Sequence, residues 1–214
     1  MKPFMRLVVL AFALSISNLV LFPVSGQAES TTAVDQNAAS KFIQILGDRA
    51  ISIIASKTIT KQQRNDQFKQ ILSDSFDLKT IGRFVIGRSW NSATPEQQAE
   101  YMKLFQELVV KTYGDRMTLY TGEGFKVVSQ RDESEQDVIV SSNITHPDGS
   151  APTVIDWRVR NHSGKLGVID VVVEGVSLSV TQRQEYSAVL QTNGGQIEGL
   201  LALMRQRLQD TTSP

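Results

Sequence analysis

The chain has 214 residues, with 22 Lys and Arg balanced by 22 Asp and Glu, two His and no Cys, and 41% of it is hydrophobic. That composition belongs to an ordinary globular protein of one domain, or two at most, and zero net charge gives no broad attraction for a phosphate backbone, which excludes nucleic acid as the main partner. Without Cys there are no disulfides, thiolate metal sites or cysteine nucleophiles, and two His leave little for a metal centre or a catalytic triad.

Lys2 and Arg6 precede a nearly uninterrupted apolar run from Leu7 to Phe22, and Gly26-Gln27-Ala28 supplies small residues before Glu29. A basic start, a short apolar stretch and small residues at minus three and minus one read as a secretory signal peptide over residues 1–28, cleaved after Ala28. The run is shorter than the roughly 20 residues that span a bilayer. Residues 29–214 then form a single exported domain of 186 residues with a net charge of −2. A chain of that size buries a core without needing disulfide staples.

Helical periodicity comes first. Ala38, Phe42, Ile45, Leu46, Ile53 and Ile54 recur at helical spacing and predict a long helix ending near Lys57. Thr60 caps a second helix with a thin apolar side of Phe68, Ile71 and Leu72, and Asp77 caps a third that runs through Leu78, Ile81, Phe84 and Val85 to Gly87. Thr94-Pro95-Glu96-Gln97 is the clearest start signal, with Thr as cap, Pro at the first helical position and Gln completing a capping box. The helix that follows carries Tyr101, Leu104, Phe105, Leu108, Val109, Thr112, Tyr113 and Met117 on one face.

Beyond Thr121-Gly122-Glu123-Gly124 the period changes to two. Phe125–Val128, Val138–Ile144, Val154–Arg160 and Leu166–Glu174 read as an antiparallel meander, with turns at 146–149 and 161–164. Ile155, Trp157 and Val159 alternate with Asp156, Arg158 and Arg160, and Ile169, Val171 and Val173 lie opposite Asp170 and Glu174, so one face is apolar and the other wet. Gly175 marks a bulge or bend, after which Val176, Leu178 and Val180 take the other parity. A short helix over Gln182–Leu190 and an amphipathic one carrying Ile197, Leu200, Leu201, Met204 and Leu208 close the chain. The expected fold is α+β: a twisted antiparallel sheet of about four strands wrapped by about six helices, packed on one sheet face.

Chemistry is sparse. Neither Gly122-Glu123-Gly124 nor Gly194-Gly195 has phosphate-loop spacing, and there is no GxSxG or HExxH. His146 and His162 both fall in turns and read as solvated, and the predicted apolar faces contain no His, Asp or Glu. A small exported enzyme with an apolar cavity therefore lacks visible equipment, and a structural adaptor with a solid core is the other alternative. The segment from Lys41 to Arg88 holds nine basic residues against four acids, and Arg131–Asp137 reads as a solvated hairpin loop.

Phe76-Asp77-Leu78, then Gly82-Arg83-Phe84-Val85-Ile86-Gly87-Arg88-Ser89-Trp90, Ala93-Thr94-Pro95-Glu96-Gln97, Tyr101, Phe105 and Tyr113-Gly114 resemble the MlaC (toluene-tolerance Ttg2-type) family. Asp170-Val171-Val172-Val173-Glu174-Gly175-Val176-Ser177, Gln184-Glu185 and Leu190 are similar to that family's C-terminal signature. The resemblance implies a periplasmic phospholipid carrier of Gram-negative bacteria, not an enzyme. Its partners would be an outer-membrane lipoprotein–porin complex and an inner-membrane ABC transporter with an MCE-domain ring, and its role the upkeep of outer-membrane lipid asymmetry. A hopanoid-associated branch is the alternative. No cofactor is implied, the bound phospholipid being cargo held between sheet and helices.

On this reading Ile155, Trp157, Val159, Ile169, Val171 and Val173 of the sheet face Phe84, Val85, Phe105, Leu108 and Tyr113 of the helices across the acyl cavity. Arg83 and Arg88 are candidates for the lipid phosphate or for an acidic partner surface. Catalytic and metal-ligating residues are not expected.

Overall fold

The computed structural model describes residues 34–114 and 122–210, so the expected signal segment and Met117 lie outside the described residues. Five helices come first: α1 (Gln36–Ala55), α2 (Lys61–Ser75), α3 (Leu78–Ile86), the single turn α4 (Ser89–Ser92) and α5 (Pro95–Gly114). Five strands follow, β1 (Gly124–Asp132), β2 (Asp137–Thr145), β3 (Thr153–His162), β4 (Lys165–Val173) and β5 (Val176–Ser177), then α6 (Leu178–Thr192) and α7 (Ile197–Gln209). The strands form one antiparallel sheet in chain order. No helix among the described residues is long and apolar enough to cross a membrane.

The helix starts follow local chemistry. Thr60 and Gln63 form a reciprocal capping box on α2, and Thr94 and Gln97 exchange the same two bonds at α5 (3.0 and 3.3 Å). Asp77 accepts from both the backbone N–H (2.9 Å) and the hydroxyl (2.6 Å) of Thr80 at the head of α3. Arg64 of α2 donates to the carbonyls of Ile54 and Ser56, closing the exposed end of α1.

Three sheet features differ from the sequence expectation. Glu174 and Gly175 both have positive φ (49° and 80°) and form a two-residue hairpin turn, so of the bulge or bend expected at Gly175 the structure has the bend, tightened into a turn that closes β4 onto β5. The chain then leaves the sheet at once. The Ser177 hydroxyl accepts from Val180 N–H (3.1 Å) and donates to Asp170 (2.6 Å), which also accepts from Ser179 N–H, and α6 therefore starts four residues before Gln182.

Bulges lie earlier, at Val128 of β1, where Val127 pairs with Ser142 and Ser129 with Ser141, and in β4. Arg158 pairs with Asp170 and Val159 with Val168, leaving Ile169 as the extra residue. Asp137 also departs from expectation: it is 1% exposed, opens β2, and accepts from Arg158 Nε (2.8 Å) and from Arg160 Nε and Nη2 (2.6 and 2.8 Å). Only the preceding residues of that loop are solvated.

The interior is divided. One apolar cluster is entirely helical, joining Val85, Ile86, Tyr101, Phe105, Leu190, Leu200 and their neighbours from α3, α5, α6 and α7. The other joins α1 to the sheet through Ile43, Leu46, Ile53, Val138, Val140, Val159 and Val168, with Ile71 of α2. In this second cluster α1 lies directly on β1, because a side chain at Gly47 would collide with the Phe125 ring.

Tyr101 is fully buried in the helical cluster, and its hydroxyl donates to the Gly82 carbonyl of α3 (2.9 Å). Burial pushes its phenol well above the usual range. Tyr101→Phe should lower stability by about 1–2 kcal/mol, since the Gly82 carbonyl is left without that donor. A urea midpoint shifted downward with unchanged slope is the expected reading.

Candidate functional site

A pocket of about 840 Å³, open to solvent, lies between the two clusters. Its floor is the helix-facing side of the sheet, with Ile144 of β2, Ile155 and Trp157 of β3 and Val171 of β4. Its walls come from every long helix except α7. Phe68 and Leu72 show its character best: they are 7% and 3% exposed, belong to neither cluster, and sit one helical turn apart on α2 with their side chains on the pocket. Trp157 donates its indole N–H to the buried Ser142 hydroxyl (2.8 Å), which satisfies its one polar atom. Phe125 packs edge-on against the same ring.

Polar lining is confined to a few side chains. Glu123 precedes β1, His146 follows β2, Thr153 begins β3, and Asp170, Ser179 and Gln182 stand where β4 gives way to α6. In an antiparallel sheet of this register these positions share one end, and that end forms the polar rim. His146 is hydrogen-bonded to the Thr153 hydroxyl (3.0 Å), so it belongs to the rim and not to a solvated loop. The expectation of a lining free of His, Asp and Glu is corrected accordingly. Asp170 is already used as an acceptor by Ser177, Ser179 and its neighbour Val171. Among the described residues no cluster of His, Asp or Glu has the arrangement of a metal site.

Of the residues picked from sequence, Val85, Phe105, Tyr113, Ile155, Trp157 and Val171 line the pocket. Five do not. Val159 is fully buried in the sheet cluster, paired across the ladder with Val138 and Val168. Ile169 is displaced from the register by the bulge, and Val173 sits half-buried at the strand end. Leu108 packs against the helical cluster. Phe84 is 41% exposed because the inward face of α3 is set by Ile81, Gly82, Val85 and Ile86, and the Arg183 guanidinium covers its ring at 4.8 Å. Arg83 and Arg88 are exposed and absent from the lining, Arg83 stacking on Trp90 at 5.4 Å.

Sequence reasoning passed over the α1 and α2 contributions, Ile51, Ile54, Phe68 and Leu72, together with Leu78, Ile81 and Val109. The signal was present in the i, i+4 spacing of Phe68 and Leu72.

Comparison with known proteins identifies the chain. The family model of the MlaC protein matches residues 44–206. The chain belongs to the MlaC family. Among curated members it is similar to the intermembrane phospholipid transport system binding protein MlaC of Haemophilus influenzae, at 24% identity over 195 residues that cover 88% of this chain and 90% of that one. It is also similar to toluene tolerance protein ttg2D of Pseudomonas putida, at 23% identity over 159 residues and 72% of each chain. A phospholipid-binding protein from Ralstonia solanacearum, solved in complex with a phospholipid, matches its fold with a TM-score of 0.71 at 23% identity, over 80% of this chain and 97% of that one.

Proposed function

We propose that the protein is a periplasmic carrier that holds a phospholipid by its acyl chains in the apolar pocket. The observation that carries this reading is the pocket itself, an apolar gap of about 840 Å³ between two cores in a chain of the MlaC family. Water filling it finds few polar partners on walls such as Phe68, Leu72, Ile155 and Val171. An apolar guest removes that cost.

Two acyl chains bring ~30 methylenes, worth ~24 kcal/mol gross on transfer from water. A bilayer satisfies the same energy, so a carrier needs near-parity with the membrane and not extreme affinity. Walls of aromatic and branched aliphatic side chains provide it without directional bonds. The family and the name of the Haemophilus influenzae relative, an intermembrane phospholipid transport system binding protein, support the transfer of lipid between membranes. In the wider reading the partners are an outer-membrane lipoprotein–porin complex and an inner-membrane ABC transporter with an MCE ring, and the role is the upkeep of outer-membrane lipid asymmetry. The carrier reading needs no catalysis. It uses the rim carboxylates and His146 as polar groups at a water boundary.

The test is mass spectrometry of the chain purified after export. Native spectra should carry the added mass of a two-chained phospholipid, released on denaturation and recovered by organic extraction. A clean unliganded mass that persists after incubation with phospholipid vesicles would overturn the reading.

A further inference from the structure

Arg83, which the apolar pocket leaves out, borders a second concavity of about 400 Å³ between the α2–α3 corner and the β3–β4 hairpin. Thr153 lies on the rim of the apolar pocket and His162 on this one. Nine residues of strand at ~3.4 Å each put these two rim residues roughly 30 Å apart. The two hollows nonetheless meet at Phe76, which lines both.

Lys79, Arg83, Arg160 and Lys165 converge on this concavity, with His162 beside them, against the carboxylates of Asp74 and Asp77. Both acids are engaged. Asp77 caps α3 through Thr80, and Asp74 accepts from Arg49 (3.1 Å) and Gln70 (2.6 Å). Arg160 is held by Asp137. No ion pair among the described residues reaches Lys79, Arg83 or Lys165, all three of which are exposed.

Lys79 occupies the first turn of α3, where the helix dipole favours an anion, and it repels Arg83 one turn later at i+4; Arg83 itself stands in the last turn, where the dipole favours a cation. Trp90 lies under the Arg83 guanidinium and limits its orientations, which leaves the planar fork ready for a bidentate acceptor. Mutually repelling cations that no ion pair reaches, gathered around a hollow of small-molecule size, are relieved by a compact anion from outside.

We propose that this concavity binds a phosphate-class anion, in a hollow that adjoins the cargo pocket at Phe76 but has its own basic lining. The anion is either a free phosphate group or the head group of an anionic phospholipid at a membrane surface. Two arms on the full chain purified after export, with its cargo in place, distinguish them. Titration with inorganic phosphate, against sodium chloride of equal ionic strength, should give saturable binding with a Kd at or below about 1 mM if the source is soluble. Sedimentation with phosphatidylcholine vesicles, with and without phosphatidylglycerol, should show retention dependent on the anionic lipid if the source is a head group.

In whichever arm binds, Lys79→Gln combined with Arg83→Gln should weaken binding about tenfold or more, with bound cargo unchanged. Lys165→Gln, on the opposite wall, should act in the same direction and guards against a folding defect in the double variant. Absence of binding in both arms would overturn the proposal, as would binding that neither variant reduces. Neither result bears on the cargo measurement, so the carrier reading and this one fail separately.

Discussion

Val171→Glu is expected to yield a folded protein that carries no phospholipid. Val171 lines the pocket floor opposite Trp157 in the ladder, and a carboxylate there stays hydrated while the pocket is open but loses its water when acyl chains enter. The penalty of about 3 kcal/mol or more corresponds to at least about a hundredfold loss of affinity. Because Val171 also packs against the sheet cluster, some stability, about 1–2 kcal/mol, goes with it.

Ile155→Trp tests the same idea without charge, by filling volume. It should exclude lipid while leaving the melting temperature within a few degrees of wild type. Val159→Glu, on the same face of the same strand as Ile155 and Trp157, provides the contrast: its site is fully closed, and the variant should fail to accumulate as a folded protein. Extracted lipid per mole of protein, read beside circular dichroism, separates the three. Lipid at wild-type levels in both Val171→Glu and Ile155→Trp would show that the pocket does not hold the cargo.

The second large effect falls on Asp137, the buried carboxylate between Arg158 and Arg160. Burial pushes its pKa upward, but hydrogen bonds and charge from Arg160 and Arg158 outweigh burial and hold it below the ordinary carboxylate value. Removing one partner of a buried pair costs about 3–5 kcal/mol. The two Arg side chains are 37% and 31% exposed and can recover hydration, so Asp137→Ala should cost about 2–4 kcal/mol. In a domain of this size that is a fall of about 6–12 °C in Tm.

The sign with pH follows from the lowered value. Asp137 contributes fully above its unfolded-state pKa of about 3.9, and the contribution disappears as pH falls through the folded-state value below it. Wild type and variant should differ by a constant amount near neutrality and converge below about pH 4. Parallel melting series across that range measure this directly.

Legibility in the sequence tracked how local each determinant is. Capping boxes at Thr60 and Thr94 and the cap at Asp77 are written within four residues, and all three helices begin where those signals stand. Six pocket residues were legible because alternation on β3 and β4 and periodicity on α3 and α5 point apolar side chains inward. The pattern does not say what lies opposite. Val159 and Trp157 share one face of one strand, yet one meets α1 side chains across a closed core and the other meets the pocket.

The bulge at Ile169 is a non-local matter in the same way. Nothing in Leu166–Val173 announces it, and it exists because β3 and β4 must keep Trp157 beside Val171 while Val159 keeps Val168. The start of α6 was hidden by a tertiary bond, since Asp170 supports the Ser177 cap from the neighbouring strand.

The division of the interior into two clusters has a consequence for the life of the molecule. Under the carrier reading, part of its hydrophobic interior is not encoded in the gene and arrives with each cargo. Every tenfold excess of lipid over Kd then adds about 1.4 kcal/mol to the folded state. Empty molecules would be the fraction most open to proteolysis, so the amount of carrier surviving outside the cytoplasm would follow the supply of loose lipid without any separate sensor.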